Sequence, residues 1–378
     1  MSDARSPFPP GQHHDLFLGT YTERLPHVDG QAPGIMRAGY AGHGKLGETT
    51  LATVFRNPSW VAAFEGVLYA VSETRADGGE GDVSAYRIDP DSHTLVLLGM
   101  QPSGGADPAH LAVSPDGRYL AVANYSGGSV ALFALDGQTG RIGERLDVVV
   151  HEPRHDGAGP DPARQEAPHP HMVAWDPHTH DLYVPDLGLD AVLVYRVTDG
   201  RLAPAGRIAC APGSGPRHLA FHPAGDVLFL VGELSTTLTV LGRARSGFAE
   251  LASVPLLPAP SGDASTGTTG DGGRPSTGAA VRVSSGGDLV FASVRGHDSV
   301  SVFRYGTDGA LQPLTVVPSH GLTPRDIALT PDERHLLVAN QDSHSVTVFS
   351  VDGSAPGDNV LSYLGEHWAP SPVCLAWA

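Results

Sequence analysis

The sequence predicts an all-β protein, a seven-bladed β-propeller with four antiparallel strands per blade, and three observations carry that prediction. A short signature, Pro-x-x-aliphatic-Ala followed by a Pro/Asp-Gly turn and a hydrophobic strand, recurs seven times, starting at Pro58, Pro108, Pro170, Pro216, Gly278, Pro324 and Pro372. The starts lie 46 to 62 residues apart, the period of a propeller blade rather than of a helical solenoid. No window of helical length keeps an apolar 3.6 period; Val, Leu, Phe and Tyr alternate instead, punctuated by DG, GG and PD dipeptides.

Taken in order, DLFLGTYT, GIMRAGYAG and ETTLATVFR read as three strands with no signature strand before them. Each full copy then reads as a signature strand, a Gly/Asp turn, a second strand such as RYLAVAN or HLLVAN, and a third such as SVALFAL or SVTVFSV. The seventh copy has room for one strand only. Its VCLAWA is therefore expected to complete the blade begun by residues near 15–56, which removes the free edges of an open array. The expected organisation is a polar, Pro-rich tail over residues 1–14 and one propeller domain over 15–378. Two long connections interrupt it: HEPRHDGAGPDPARQEAP at 151–168, the better candidate for a loop over a site, and a Gly/Ser/Thr tract at 259–278.

Composition narrows the function classes. The 47 glycines and 32 prolines supply the turns that short strands need. A formal net charge of −17 argues against nucleic-acid binding, which wants a basic face. Cys210 and Cys374 do not make a disulfide framework, nothing at the start resembles a cleavable signal, and no run of eighteen apolar residues suggests a membrane span. A cytoplasmic location is the expectation.

Superimposing the copies reads out the mouth of the central channel, because the start of the first strand and the end of the second meet at one face of an antiparallel blade. The starts contribute Ser59/Trp60, Ala109/His110, His171/Met172, Arg217/His218, Ala279/Ala280, Arg325/Asp326 and Val373/Cys374. The ends contribute Glu73, Asn124, Asp186, Glu233, Val294 with Arg295, Asn340 and Thr20. Such side chains also satisfy strand ends and channel water, and Asn124, Asn340 and Thr20 fit turn capping. Two guanidiniums and a carboxylate converging at Arg217, Glu233 and Arg295 exceed what turns require. With His171 and Arg325 they suggest an off-centre pocket for an anion, which arginine's fork grips bidentately.

The strings VANYSGGSV, QEAPHPHMV, GSGPRHLAFHP, VGELS, RGHDSVSVF, TPRDIALTPD and VANQDS resemble the lactonase family of seven-bladed propellers. That family includes the propeller type of 6-phosphogluconolactonase and is related to carboxy-cis,cis-muconate cyclase. The resemblance implies a catalytic set at His169 or His171, Arg217, Glu233 and Arg295; among the other positions that the superposition brings to the mouth, His110, Asn124, His218, Arg325 and Asn340 are the substrate-binding candidates. It implies no cofactor and a small-molecule lactone or other anionic substrate. One departure stands out: family members usually carry an acid two residues before the arginine of the fifth signature, where this chain has Ala280 before Arg282.

Lactone hydrolysis needs an activated water and a stabilised oxyanion. Glu233 or His169/His171 could serve as base, and Arg295 or Arg217 could bind the oxyanion while another arginine grips a phosphate. No G-x-S-x-G elbow points to a serine nucleophile. The rivals are a calcium cage of Glu73, Asn124, Asp186 and Asn340, a zinc site among His169, His171, His178 and His180, a lactone-forming cyclase, and a non-catalytic binding propeller.

Overall fold

A computed structural model describes residues 14–75, 79–245, 247–258 and 274–378. Most of the expected tail and residues 259–273 of the long Gly/Ser/Thr connection lie outside them. His14, read with the tail, instead opens a strand and pairs with Tyr40.

Among the described residues the strands form seven four-stranded antiparallel sheets and one two-stranded hairpin. The blade of the second signature shows the pattern: Pro108–Val113, Tyr119–Asn124, Ser129–Leu135 and Ile142–Val150 run side by side. Its second strand is buried almost throughout and its fourth is largely accessible, so hydrophobicity falls from the axis outward. The turn joining the first two strands needs a left-handed residue, supplied by Gly117, Gly225 and Gly287 in three copies. In the sixth copy Glu333 takes that conformation at φ 55°, and its carboxylate accepts bonds from the Ser285 amide and hydroxyl of the neighbouring blade at 2.8 Å.

The hydrophobic cores lie between blades. Val227, Phe229 and Val240 pack with Val281, Val290 and Phe303 of the next sheet, and Leu16, Leu18 and Met36 pack with Leu337, Val346 and Val348. Each sheet therefore depends on both neighbours.

The C-terminal strand, Pro372–Trp377, pairs with His14–Thr20, which continues to Gly34–Tyr40 and Thr50–Val54, the closure expected from the truncated seventh copy. Buried Asp326 locks the joint: its Oδ2 accepts the Leu375 amide at 2.9 Å and its Oδ1 accepts Arg282 Nη2 at 2.8 Å. The Trp377 indole donates to the Leu329 carbonyl at 2.7 Å. Arg282 thus has its acidic partner in the next blade, without an acid at position 280.

Two local features differ from the regular repeat. In the third blade the signature strand is reduced to Ala174–Trp175, opposite a second strand, Leu182–Asp186, in which Pro185 has no amide proton to donate to the ladder. Residues 169–171 still follow the second strand through His171 N–H to the Pro185 carbonyl and Leu187 N–H to the His169 carbonyl, both 3.0 Å. The hairpin Arg24–Leu25/Val28–Asp29 was not anticipated; it folds over the channel mouth. No described helix is long and apolar enough to cross a membrane.

Removing the closing strand should expose the edge of His14–Thr20 and one face of the core beside it. A chain ending at Ser371 is expected to lose the single cooperative thermal transition of the full protein, as read by circular dichroism. Retention of that transition would show that closure is dispensable.

Candidate active site

The mouth of the channel holds a cavity of about 850 Å³ whose wall includes Glu73, Tyr125, Arg164, His171, Glu233, Arg295 and Arg325. Local backbone geometry helps to aim Arg325 on that wall and Arg217 behind it. In the second, fourth, fifth and sixth blades the register slips just after the lead residue, between Pro108 and His110, Pro216 and Leu219, Gly278 and Val281, and Pro324 and Asp326. Bulges of this kind break the strict alternation of the pleat and redirect the side chains beside the lead position.

Glu233, 2 % exposed, is the hub. Arg164 Nη2 donates to its Oε1 at 2.6 Å, and Arg295 Nη2 lies 2.9 Å from Oε2. Arg217 Nε also lies 2.9 Å from Oε2, but off the N–H direction, so that contact is Coulombic; its Nη1 donates to the Ala279 carbonyl at 2.6 Å. Burial alone would raise the Glu233 pKa, but Arg295, Arg164 and Arg217 together outweigh it and hold the carboxyl well below the usual carboxylate range. Arg217, itself 2 % exposed, is pulled down to about 9 by burial and by Arg295 against the opposing pull of Glu233, and stays cationic at neutral pH.

A second cluster lies across the cavity. The Tyr21 hydroxyl is 2.8 Å from both oxygens of Glu73, and Arg325 Nη2 donates to that hydroxyl at 3.1 Å. Arg325 Nη1 donates to the Gln341 amide oxygen at 3.2 Å, so this guanidinium is held by neutral groups. Burial raises the Glu73 pKa despite the nearby Arg325. Rim cations are paired off, Arg56 with Glu23 at 2.6 Å and Arg75 with Asp107 at 2.5 Å. The deep wall is therefore cationic on balance, a fit for an anion.

The two histidines of the HPH string part company. His171 lines the cavity, with its Nδ1 buried and without a hydrogen-bond partner. Burial, reinforced by Arg217 and opposed by Glu233, lowers its pKa well below the ordinary value, so the ring is neutral near pH 7. His169 stacks on Tyr125 at 4.4 Å, and its nitrogens lie 3.1 Å from the Tyr125 carbonyl and from Glu166.

The other candidates divide similarly. Arg325 faces the cavity, whereas His110 and His218 lie beneath it in a row of rings running from Trp60 through His110 and His218 to His171. Asn124 and Asn340 are buried caps: their amides donate to Ser129 and Thr347 hydroxyls, each at 3.1 Å. Of the residues weighed as an oxygen cage, Glu73 is bound to Tyr21, while Asp186 holds His151 at 2.6 Å and accepts the His169 and Leu189 amides. The described residues contain no cluster of three or more groups placed to hold a metal.

Sequence reading missed Arg164, Tyr21 and Tyr125. Arg164 sits in the 151–168 connection that was singled out as a loop over the site, but it has no counterpart in the repeat. Tyr21 and Tyr125 each follow by one residue a second-strand end that the superposition did identify, Thr20 and Asn124.

A family model described as Lactonase, 7-bladed beta-propeller matches residues 15–377. The chain is 32% identical over 365 residues to a 6-phosphogluconolactonase of Bacillus subtilis, spanning 95% of this chain and 97% of the relative. A 6-phosphogluconolactonase of Formosa agariphila is 30% identical over 293 residues, covering 75% and 78%. A periplasmic gluconolactonase structure from Pseudomonas aeruginosa superimposes with a TM-score of 0.83 at 29% identity, covering 97% of this chain and 99% of that one.

Because the folded-state pKa of Glu233 lies below its ordinary value of 4.5, the stability it contributes is complete above that value and is lost as pH falls through and below it. Glu233→Gln leaves three guanidiniums without their shared counter-charge and should cost about 3–5 kcal/mol at pH 7. Thermal denaturation from pH 7 to pH 3 should show the wild-type advantage shrinking at the acid end; a difference independent of pH would refute the assignment.

Proposed function

The chain belongs to the lactonase family of seven-bladed β-propellers, and on that footing we propose that it hydrolyses a phosphorylated sugar lactone of the 6-phosphogluconolactone type. The observation that carries this reading is the cavity wall itself, where a neutral histidine, a buried carboxylate and three arginines converge from different blades and one connecting loop. We further propose that residues 15–378 act as one domain in the cytoplasm. The periplasmic naming of the Pseudomonas relative makes location a question for fractionation.

The chemistry follows from which groups reach the cavity. His171 takes a proton from water as the water oxygen attacks the lactone carbonyl carbon, and Glu233 stabilises the imidazolium that forms. Arg295, on the cavity wall, receives the oxyanion of the tetrahedral intermediate. As that intermediate collapses, the ring C–O bond breaks and the departing alkoxide takes the proton back from His171, giving the open-chain acid. Arg217 is too buried to touch substrate and acts as a positioning residue, fixing Glu233 from behind. Arg325, held by Gln341 and Tyr21, is free to pair with the substrate's anionic group.

Hydrolysis of 6-phosphoglucono-δ-lactone, with the spontaneous rate subtracted, tests this reading. Arg295→Ala should lower kcat by about 10²–10³-fold and His171→Ala by about 10²–10⁴-fold, whereas His169→Ala should cost less than about tenfold, since its nitrogens face Tyr125 and Glu166. Equal losses for the two histidines, or no catalysis by the wild-type protein, would defeat the proposal.

A further inference from the structure

The three arginines on Glu233 are not equivalent. Arg217 and Arg295 stand on blade strands, and each also donates to a main-chain carbonyl, Ala279 at 2.6 Å and Gly278 at 3.3 Å. Arg164 comes from the 151–168 connection, its side chain is 39 % exposed, and among the described residues its guanidinium bonds, beyond Glu233, the Tyr125 hydroxyl at 3.3 Å. Arg164 alone holds Oε1; the other two approach Oε2.

The backbone beneath Arg164 is firmly seated. Gln165 is buried and donates to the Leu187 carbonyl at 2.9 Å and to Asp190 at 2.8 Å. His151 pairs with Asp186 at the start of the loop, and Arg154 reaches Asp190 at 3.3 Å. Moving the Arg164 guanidinium therefore requires side-chain rotation, not loop opening.

We infer that Arg164 is a specificity-determining arm that exchanges partners, leaving Glu233 Oε1 for the anionic group of the substrate. The inference rests on the lactonase reading for its substrate. A phosphate or carboxylate entering the cavity offers the guanidinium a bidentate, doubly bonded partner where Glu233 offers one oxygen. The exchange has two consequences. The anionic group gains a second arginine opposite Arg325, and Glu233 regains an unoccupied oxygen with which to accept a proton-bearing partner, whether substrate hydroxyl or the imidazolium of His171. An unphosphorylated lactone cannot draw the arm away and meets a masked carboxylate. Discrimination thus enters kcat as well as KM, since the same group that binds also unmasks the catalytic carboxylate.

Two measurements separate this inference from the activity it rests on. In steady-state kinetics with 6-phosphoglucono-δ-lactone and glucono-δ-lactone, Arg164→Gln should lower kcat/KM for the phosphorylated substrate by about tenfold or more while raising kcat for the unphosphorylated one. Arg164→Lys should recover part of the first effect. Equal scaling of both substrates, or no change in either, overturns the exchange. Calorimetric titration with inorganic phosphate reads the arm without any turnover: wild type should bind it at least about fivefold more tightly than Arg164→Gln, and equal affinities overturn the proposal. If phosphate binding depends on Arg164 while neither lactone is hydrolysed, the arm stands and the lactonase reading falls.

Discussion

Everything that converges in this molecule converges because the ring closes. Seven sheets whose cores lie between neighbours leave two unfinished faces if the array is open, and the strand Pro372–Trp377 finishes both by joining the sheet of His14–Thr20 and packing against the sixth blade. Asp326 makes that joint electrostatic as well as hydrophobic, since one buried carboxylate bonds Arg282 of the fifth blade and the Leu375 amide of the seventh. Closure also fixes the cavity. Tyr21, from the closing blade, meets Glu73 of the first and Arg325 of the sixth only when the ring is complete.

Within that frame the site is organised around a shortage of negative charge. Glu233 is the shared counter-ion of Arg164, Arg217 and Arg295, and the price of burying it is met by the cations around it rather than by water. The same arrangement makes Glu233 a poor proton acceptor in the unliganded molecule, while burial, reinforced by Arg217 and opposed by Glu233, leaves His171 neutral on the cavity wall. In the mechanism we propose, acid and base work is divided accordingly: the carboxylate supplies field and the imidazole carries the proton.

The blade architecture was legible in the sequence because strand alternation, turn glycines and the lead proline are local signals repeated often enough to be superimposed. The residues at the repeat positions were legible too, since position in the repeat sets depth in the channel: Glu233, Arg295 and Arg325 line the mouth, and Arg217 stands behind Glu233. What the repeat does not encode was lost. Arg164 lies in an insertion with no counterpart in the other copies, and its backbone is set by buried Gln165 and by Asp190, partners distant in sequence. The choice between His169 and His171 turned on which ring lines the cavity, since both contact Tyr125 and His169 is tied to Glu166, a matter of local geometry before a shortened strand. Asn124 and Asn340 show the converse: a polar residue at a strand end reads alike whether it caps a turn or contacts a ligand, and here both amides cap.

The fifth copy, which departs from the family pattern, ties these threads together. An acid at position 280 would add a carboxylate to the inner strand that carries the Ala279 carbonyl, to which Arg217 donates. With alanine there, packed among Phe291, Val300 and Ile327, Arg282 turns to Asp326 and Arg217 has Glu233 as its nearest counter-charge. Arg282 and Arg217 each keep a carboxylate partner without an acid at 280. On the function we propose, an incoming anion adds negative charge to a wall where Glu233 is shared among three guanidiniums.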